Sequence, residues 1–117
     1  MNAQDQLEEA RKQYGKGRLV VVDDGDDVFA FRSASRDMIS DIQSRLAADK
    51  TGKSSLMILT NFCEVLCVVG KDRFKQFAAD YPLMIANGDE GDPDGDPSSI
   101  SSAIMRLARG KAKISVS

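Results

Sequence analysis

An α+β domain is predicted by three features of this chain: an amphipathic helical repeat at its start, two β-prone runs flanking an acidic turn, and several later stretches of helical period. The length of 117 residues suits one domain spanning 1–117, because domains commonly run about 100 to 150 residues around one core. Ala3, Leu7, Ala10 and Tyr14 recur at helical spacing, Asn2 is placed to cap the start, and Gly15 to close the end. A short N-terminal helix follows from that pattern.

Arg18 to Asp23 and Val28 to Arg32 are the two β-prone runs, and Asp24 and Gly25 fit the corners of a type I′ turn. That turn sets Asp23 opposite Asp26, Val21 opposite Val28, Val20 opposite Phe29 and Arg18 opposite Phe31. Val20, Val22, Phe29 and Phe31 then share one face, which the hairpin lays on helices. Ile114 and Val116 alternate in the tail and offer a third, C-terminal strand.

Ser35 is the expected cap of a second helix reaching about Ala48, with Asp37 in its first turn and Met38, Ile39, Ile42 and Leu46 as its stripe. After the polar break Asp49 to Lys53, Ser54 or Ser55 starts the most apolar segment, Leu56 to Val69. A bilayer-spanning helix needs roughly 20 apolar residues, so this shorter run is expected as a helix buried at the centre of the domain. Gly70 to Asp72 turns the chain, and Phe74, Phe77, Ala78 and Tyr81 mark a fourth helix that Pro82 ends. From Asn87 to Pro97 an acidic, Gly- and Pro-containing stretch is expected as a mobile loop. Asp96 and Pro97 fit the cap and first position of a last helix carrying Ile100, Ala103, Ile104, Leu107 and Ala108, with Arg106 and Arg109 near its end and Gly110 closing it.

Charge and composition narrow the chemistry. The formal net charge of -2 is set by the loop's Asp89, Glu90, Asp92, Asp94 and Asp96, without which the chain would be basic by about three charges. The chain has no His, so a general base would have to be a tuned carboxylate, Lys or Tyr, and the acids fall on a turn, helix surfaces and a polar loop where little desolvates them. No enzymatic activity is expected. Cys63 and Cys67, four apart, read as reduced core side chains, because helical Cβ atoms at that spacing lie about 5 to 6 Å apart, too far for a disulfide. They have no further soft ligands at a metal-binding spacing.

Ala47 to Ser54 matches the permissive form of a phosphate-binding loop, with Lys53 and Ser54 at a helix start, but it follows a helix where that loop follows a strand. Asp92, Asp94 and Asp96 alternate as calcium ligands would, yet Gly95 falls fourth where the sixth is required, and Ala103 occupies the position of the bidentate Glu. Arg106, Arg109, Lys111 and Lys113 lack the aromatic interleaving of a nucleic-acid surface. No cofactor, metal, nucleic acid or membrane partner is expected. The first residues lack the basic and apolar segments of a secretory signal, which makes the cytoplasm the expected compartment.

A protein partner remains. Leu83, Met84, Ile85, Ile104, Met105 and Leu107 are candidate partner-binding residues, an adaptable apolar patch to receive an amphipathic helix, weighed against a role in filling the core. The order of N-terminal helix, Arg18 to Asp23, acidic turn, Val28 to Arg32, Ser/Arg-rich helix start, Cys-containing apolar helix and Phe74-to-Pro82 helix resembles small tail assembly chaperones of tailed bacteriophages, over roughly Lys16 to Leu83. That resemblance implies a non-enzymatic protein of the bacterial host cytoplasm that transiently binds a tape-measure or other tail protein and keeps it soluble, with a homo-oligomer as a further arrangement. The alternatives are a structural tail or connector component and a calcium-responsive interaction module.

Overall fold

The helices that begin at Ala3, Arg36 and Ile100 start where a short polar side chain, Asn2, Ser35 or Ser99, relieves an unpaired backbone N–H group. The computed structural model describes residues 2–15, 17–25, 27–86 and 97–110. Helix α1 (Ala3–Tyr14) opens with the Asn2 side chain accepting from the Asp5 N–H at 2.9 Å and closes with the Gly15 N–H donating to the Arg11 carbonyl at 3.0 Å. Strands β1 (Leu19–Asp23) and β2 (Val28–Arg32) form the expected hairpin. Helix α2 (Arg36–Ala48) has Ser35 Oγ accepting from the Met38 N–H at 3.3 Å. Helix α3 (Ser55–Leu66) runs directly into strand β3 (Cys67–Val69), followed by α4 (Lys71–Asp80), the single turn α5 (Pro82–Ile85) and α6 (Ile100–Arg109).

The sheet has antiparallel order β1-β2-β3. The N-terminal helix, the hairpin and the mainly helical body make this the expected α+β fold, and three details of the expectation change. First, the hairpin register is shifted by two residues: Asp23 pairs with Val28, Val22 with Phe29, Val21 with Ala30 and Val20 with Phe31. The wider turn is held by side chains, with Asp23 Oδ1 accepting from the Gly25 N–H at 2.9 Å and Asp24 Oδ1 from the Asp27 N–H at 2.6 Å. An even shift preserves the alternation, so Val20, Val22, Phe29 and Phe31 still share the face that packs into the main core.

Second, the apolar run is neither one helix nor wholly buried. It leaves the helical conformation at Cys67 and pairs along the free edge of β2, with Val69 opposite Ala30, Cys67 opposite Phe31, and a bulge between them that leaves Val68 over. The β-branched Val68 and Val69 suit that role. Leu56, Met57 and Val65 are exposed on α3 at 41, 63 and 53 %, so the helix has an outer face. The third strand is thus internal; Ile114 and Val116 lie outside the described residues. Third, Ser99 caps α6, its Oγ accepting from the Ser102 N–H at 3.3 Å, three residues beyond the expected Asp96–Pro97 start. Of the acidic loop expected from Asn87 to Pro97, residues 87–96 lie outside the described residues.

The sheet separates two apolar layers. On one face, Leu7 and Ala10 of α1 pack on Val28, Ala30 and Val69, flanked by Ala3 and Tyr14, the stripe expected of that helix. On the other, Phe29 and Phe31 meet Phe74 and Phe77 of α4, with ring centroids 4.7 Å apart for Phe29–Phe77 and 5.4 Å for the edge-on Phe31–Phe74 pair. Ile42, Phe62, Cys63, Leu66, Ile85, Ile100 and Ile104 complete that core. Coverage on both faces buries the first four residues of β2, where one apolar face was expected. Tyr81, expected in the α4 stripe, is 55 % exposed past the helix end, its ring against Phe77.

Gly70 joins β3 to α4 with no intervening loop, at φ +78°, and a Cβ there would sit 2.7 Å from Phe29 Cδ1 and 2.8 Å from the Val28 carbonyl oxygen. Gly25 also has positive φ but open space around it. Gly70→Ala is therefore expected to lower unfolding free energy by about 2 to 5 kcal/mol, combining left-handed strain with overpacking, and Gly25→Ala by only about 1 to 2 kcal/mol. Urea titration of both variants checks the difference. A second expectation concerns Arg73 of α4, whose Nε lies 2.7 Å from Asp27 Oδ2. The Arg73 hydrogen bond holds the Asp27 carboxyl below its ordinary value, against a smaller opposing effect of desolvation. A depressed folded value means that the pair's stabilisation is complete above about pH 3.9 and fades as pH falls through the lower folded value. Thermal melting from pH 6 to 2.5 is expected to show a steeper acid-side loss for the native chain than for Asp27→Asn, with the difference reduced by salt.

Candidate functional site

The amphipathicity of α3 creates the surface that stands out on this molecule. Ile58, Leu59, Phe62, Cys63 and Leu66 turn toward the core, fully or in part, while Met57, Asn61 and Val65, four apart, form an outward ridge. On the α2 side the ridge borders a groove of about 350 Å³ lined by Met38, Ile42 and Phe62 together with Asp41 and Arg45, which pair with each other at 3.0 Å. On the α4 side it borders a wider groove of about 560 Å³, whose walls are Leu56, Met57, Thr60 and Asn61 facing Ala78, Ala79 and Pro82, with Lys53 and Lys75 as its charged residues. Met57 and Asn61 line both grooves. Apolar side chains on a ridge between two troughs are what a protein surface offers to an incoming helix.

The start of α3 is held from a distance. Asp49 Oδ2 accepts from the Ser54 N–H and from Ser55 Oγ, each at 2.9 Å. The Ser54 side chain, one of the expected caps, makes no cap bond. Within the stretch that matched a phosphate-binding loop, a carboxylate of the chain itself thus takes the Ser54 N–H and the Ser55 hydroxyl at the helix start, and the segment follows α2.

The six candidate partner-binding residues do not form one surface. Ile85 and Ile104 are fully buried at 0 % and belong to the core, which corrects their assignment to a partner patch. Leu83 and Met84 are exposed on α5 at 69 and 39 %. Met105 and Leu107 are half-buried on α6, where Met105 lines a separate groove with Leu46, Leu59 and Arg106. Their apolar identity was legible, but α6 rolls so that Ile100, Ser101, Ser102 and Ile104 face inward and Ala108 outward. The α3 ridge escaped sequence reasoning because a nearly all-apolar run gives no polar face from which to locate the outside. Asn61 is the exposed polar residue that marks it.

Cys63 and Cys67 are buried and free of disulfides. Burial pushes the Cys63 thiol up to about 12, aided by Cys67, and burial pushes Cys67 up to about 11. Both are thus protonated at neutral pH, and Cys67 Sγ donates to the Val69 carbonyl at 3.1 Å within the bulge. Among the described residues no cluster of three or more metal-ligating side chains occurs, and no helix is long and apolar enough to cross a membrane. The calcium-like Asp92, Asp94 and Asp96, with Lys111 and Lys113 of the basic cluster, lie outside the described residues. Maleimide labelling at pH 7.5 is expected to be at least about 100-fold slower for the native chain than for the urea-unfolded chain, as burial and a protonated thiol require. Comparison with protein-family models, curated proteins and solved structures finds no match.

Proposed function

We propose that this chain is a non-enzymatic client-binding protein of the tail-assembly-chaperone kind, which holds an apolar helix of a tape-measure or other tail protein on the ridge and grooves of α3. The observation that supports the reading is the exposure of Met57 and Val65 on the α3 ridge and of Leu56 on its α4-side flank, with a trough on either side of the ridge. About half of each side chain is still exposed, so covering one contributes about 0.6 to 2 kcal/mol, and a few such contacts support transient but specific capture. Met57 adds an unbranched, polarizable side chain that adapts to different partners. The site replaces the patch expected on α5 and α6, because that patch loses Ile85 and Ile104 to the core.

Co-expression with the tape-measure protein of the same genome tests the reading. The native chain is expected to raise the client's soluble fraction several-fold, and Met57→Glu/Val65→Glu to abolish the gain while keeping the native far-UV spectrum and melting temperature, since both side chains face outward. A native chain without effect on client solubility, or a double variant as effective as the native chain, would refute it.

A further inference from the structure

The two grooves beside the α3 ridge differ in charge, and that difference specifies a ligand. In the α2-side groove the charged lining residues are Asp41 and Arg45, an i, i+4 pair that cancels locally. In the α4-side groove both charged lining residues are cations, Lys53 and Lys75. They stand at opposite ends of the trough. Lys53 lies two residues before α3 begins, whereas Lys75 Nζ reaches Glu64, in the last turn of α3, at 3.8 Å. At 1.5 Å per residue, α3 rises about 14 Å from Ser55 to Glu64, and Lys53 lies two residues before that start. Between them the floor is small: Thr60, Ala78 and Ala79 let a second helix axis approach at the close end of the usual 8 to 10 Å range.

Resting on the helix-binding reading above, we propose that the α4-side groove takes an amphipathic helix whose apolar stripe is bracketed by carboxylates about nine to eleven residues apart, one for Lys53 and one for Lys75. Leu56 and Met57 meet the stripe, and the terminal lysines select charge and fix register. The contact between Lys75 and Glu64 is long, and the lysine side chain is 76 % exposed, so an incoming carboxylate shares or replaces it at little cost.

Synthetic helical peptides with one apolar stripe and Glu, Gln or Lys at the two bracketing positions test this by fluorescence anisotropy at low and high salt. The Glu peptide is expected to bind the native chain about 2- to 30-fold more tightly than the Gln peptide, the range for two exposed ion pairs, and the gap is expected to close in high salt. Lys53→Glu/Lys75→Glu is expected to invert the preference toward the Lys peptide. Ala79→Trp, which fills this groove from an exposed position, is expected to abolish binding, whereas Glu8→Trp, exposed on α1 on the far face of the sheet, leaves it intact. Equal affinity for all three peptides, or retention of binding by Ala79→Trp, overturns the charge-bracketed groove and leaves helix capture standing. Failure of every peptide to bind overturns both readings.

Discussion

A single left-handed residue, Gly70, sets the geometry on which the packing of this protein depends. Its φ of +78° turns the chain from β3 into α4 within one residue, and its missing Cβ is what lets that turn press against Phe29 and the Val28 carbonyl. Because α4 starts there, Phe74 and Phe77 land on Phe29 and Phe31, and Arg73 reaches Asp27 beside the hairpin turn. The sheet and the helical body are thereby coupled at one corner. Strand β2, central between β1 and β3 and covered by α1 behind and the phenylalanines in front, is buried over its first four residues.

Around that corner, local polar devices fix element boundaries at modest individual value. Caps of this kind are worth about 1 kcal/mol each, too little to choose a fold but enough to decide where a helix begins. Asn2, Ser35 and Ser99 act within three residues of themselves, while Asp49 reaches across the α2–α3 connection to the Ser54 N–H and the Ser55 hydroxyl. Asp49 shows how a loop with the composition of an anion-binding site can serve a structural end. The helix start attracts a negative group, and the chain supplies its own.

The division of α3 into a buried and an open face ties the fold to the proposed function. Phe62, Cys63 and Leu66 carry the packing and close the core, which frees Leu56, Met57 and Val65 to stay at the surface. Retained apolar exposure on one side of a helix that also anchors the core gives a rigid platform, and a client helix would dock without the entropic cost of ordering a loop. The cysteines belong to the structural face, held protonated by burial beside the bulge.

Periodicity and capping chemistry by themselves determined α1 with its Asn2 cap and Gly15 end, α2 with its Ser35 cap, the paired faces of the hairpin, and the Phe74–Phe77–Ala78 stripe of α4. These are local: each depends on residues within one or two turns, or on an alternation that a two-residue register shift leaves unchanged. Tertiary structure alone decided that Cys67 to Val69 is a strand, because a β-prone segment at the end of a helix needs a free edge to pair with, and only the assembled hairpin provides it. It also decided which apolar residues are left outside. Ile85 and Ile104 were indistinguishable in character from Leu56 and Val65 until the packing of α5 and α6 enclosed the first pair and left the second in water. Hydrophobic burial has no direction of its own, so the side of an apolar helix that meets solvent is chosen by the neighbours that arrive from elsewhere in the chain.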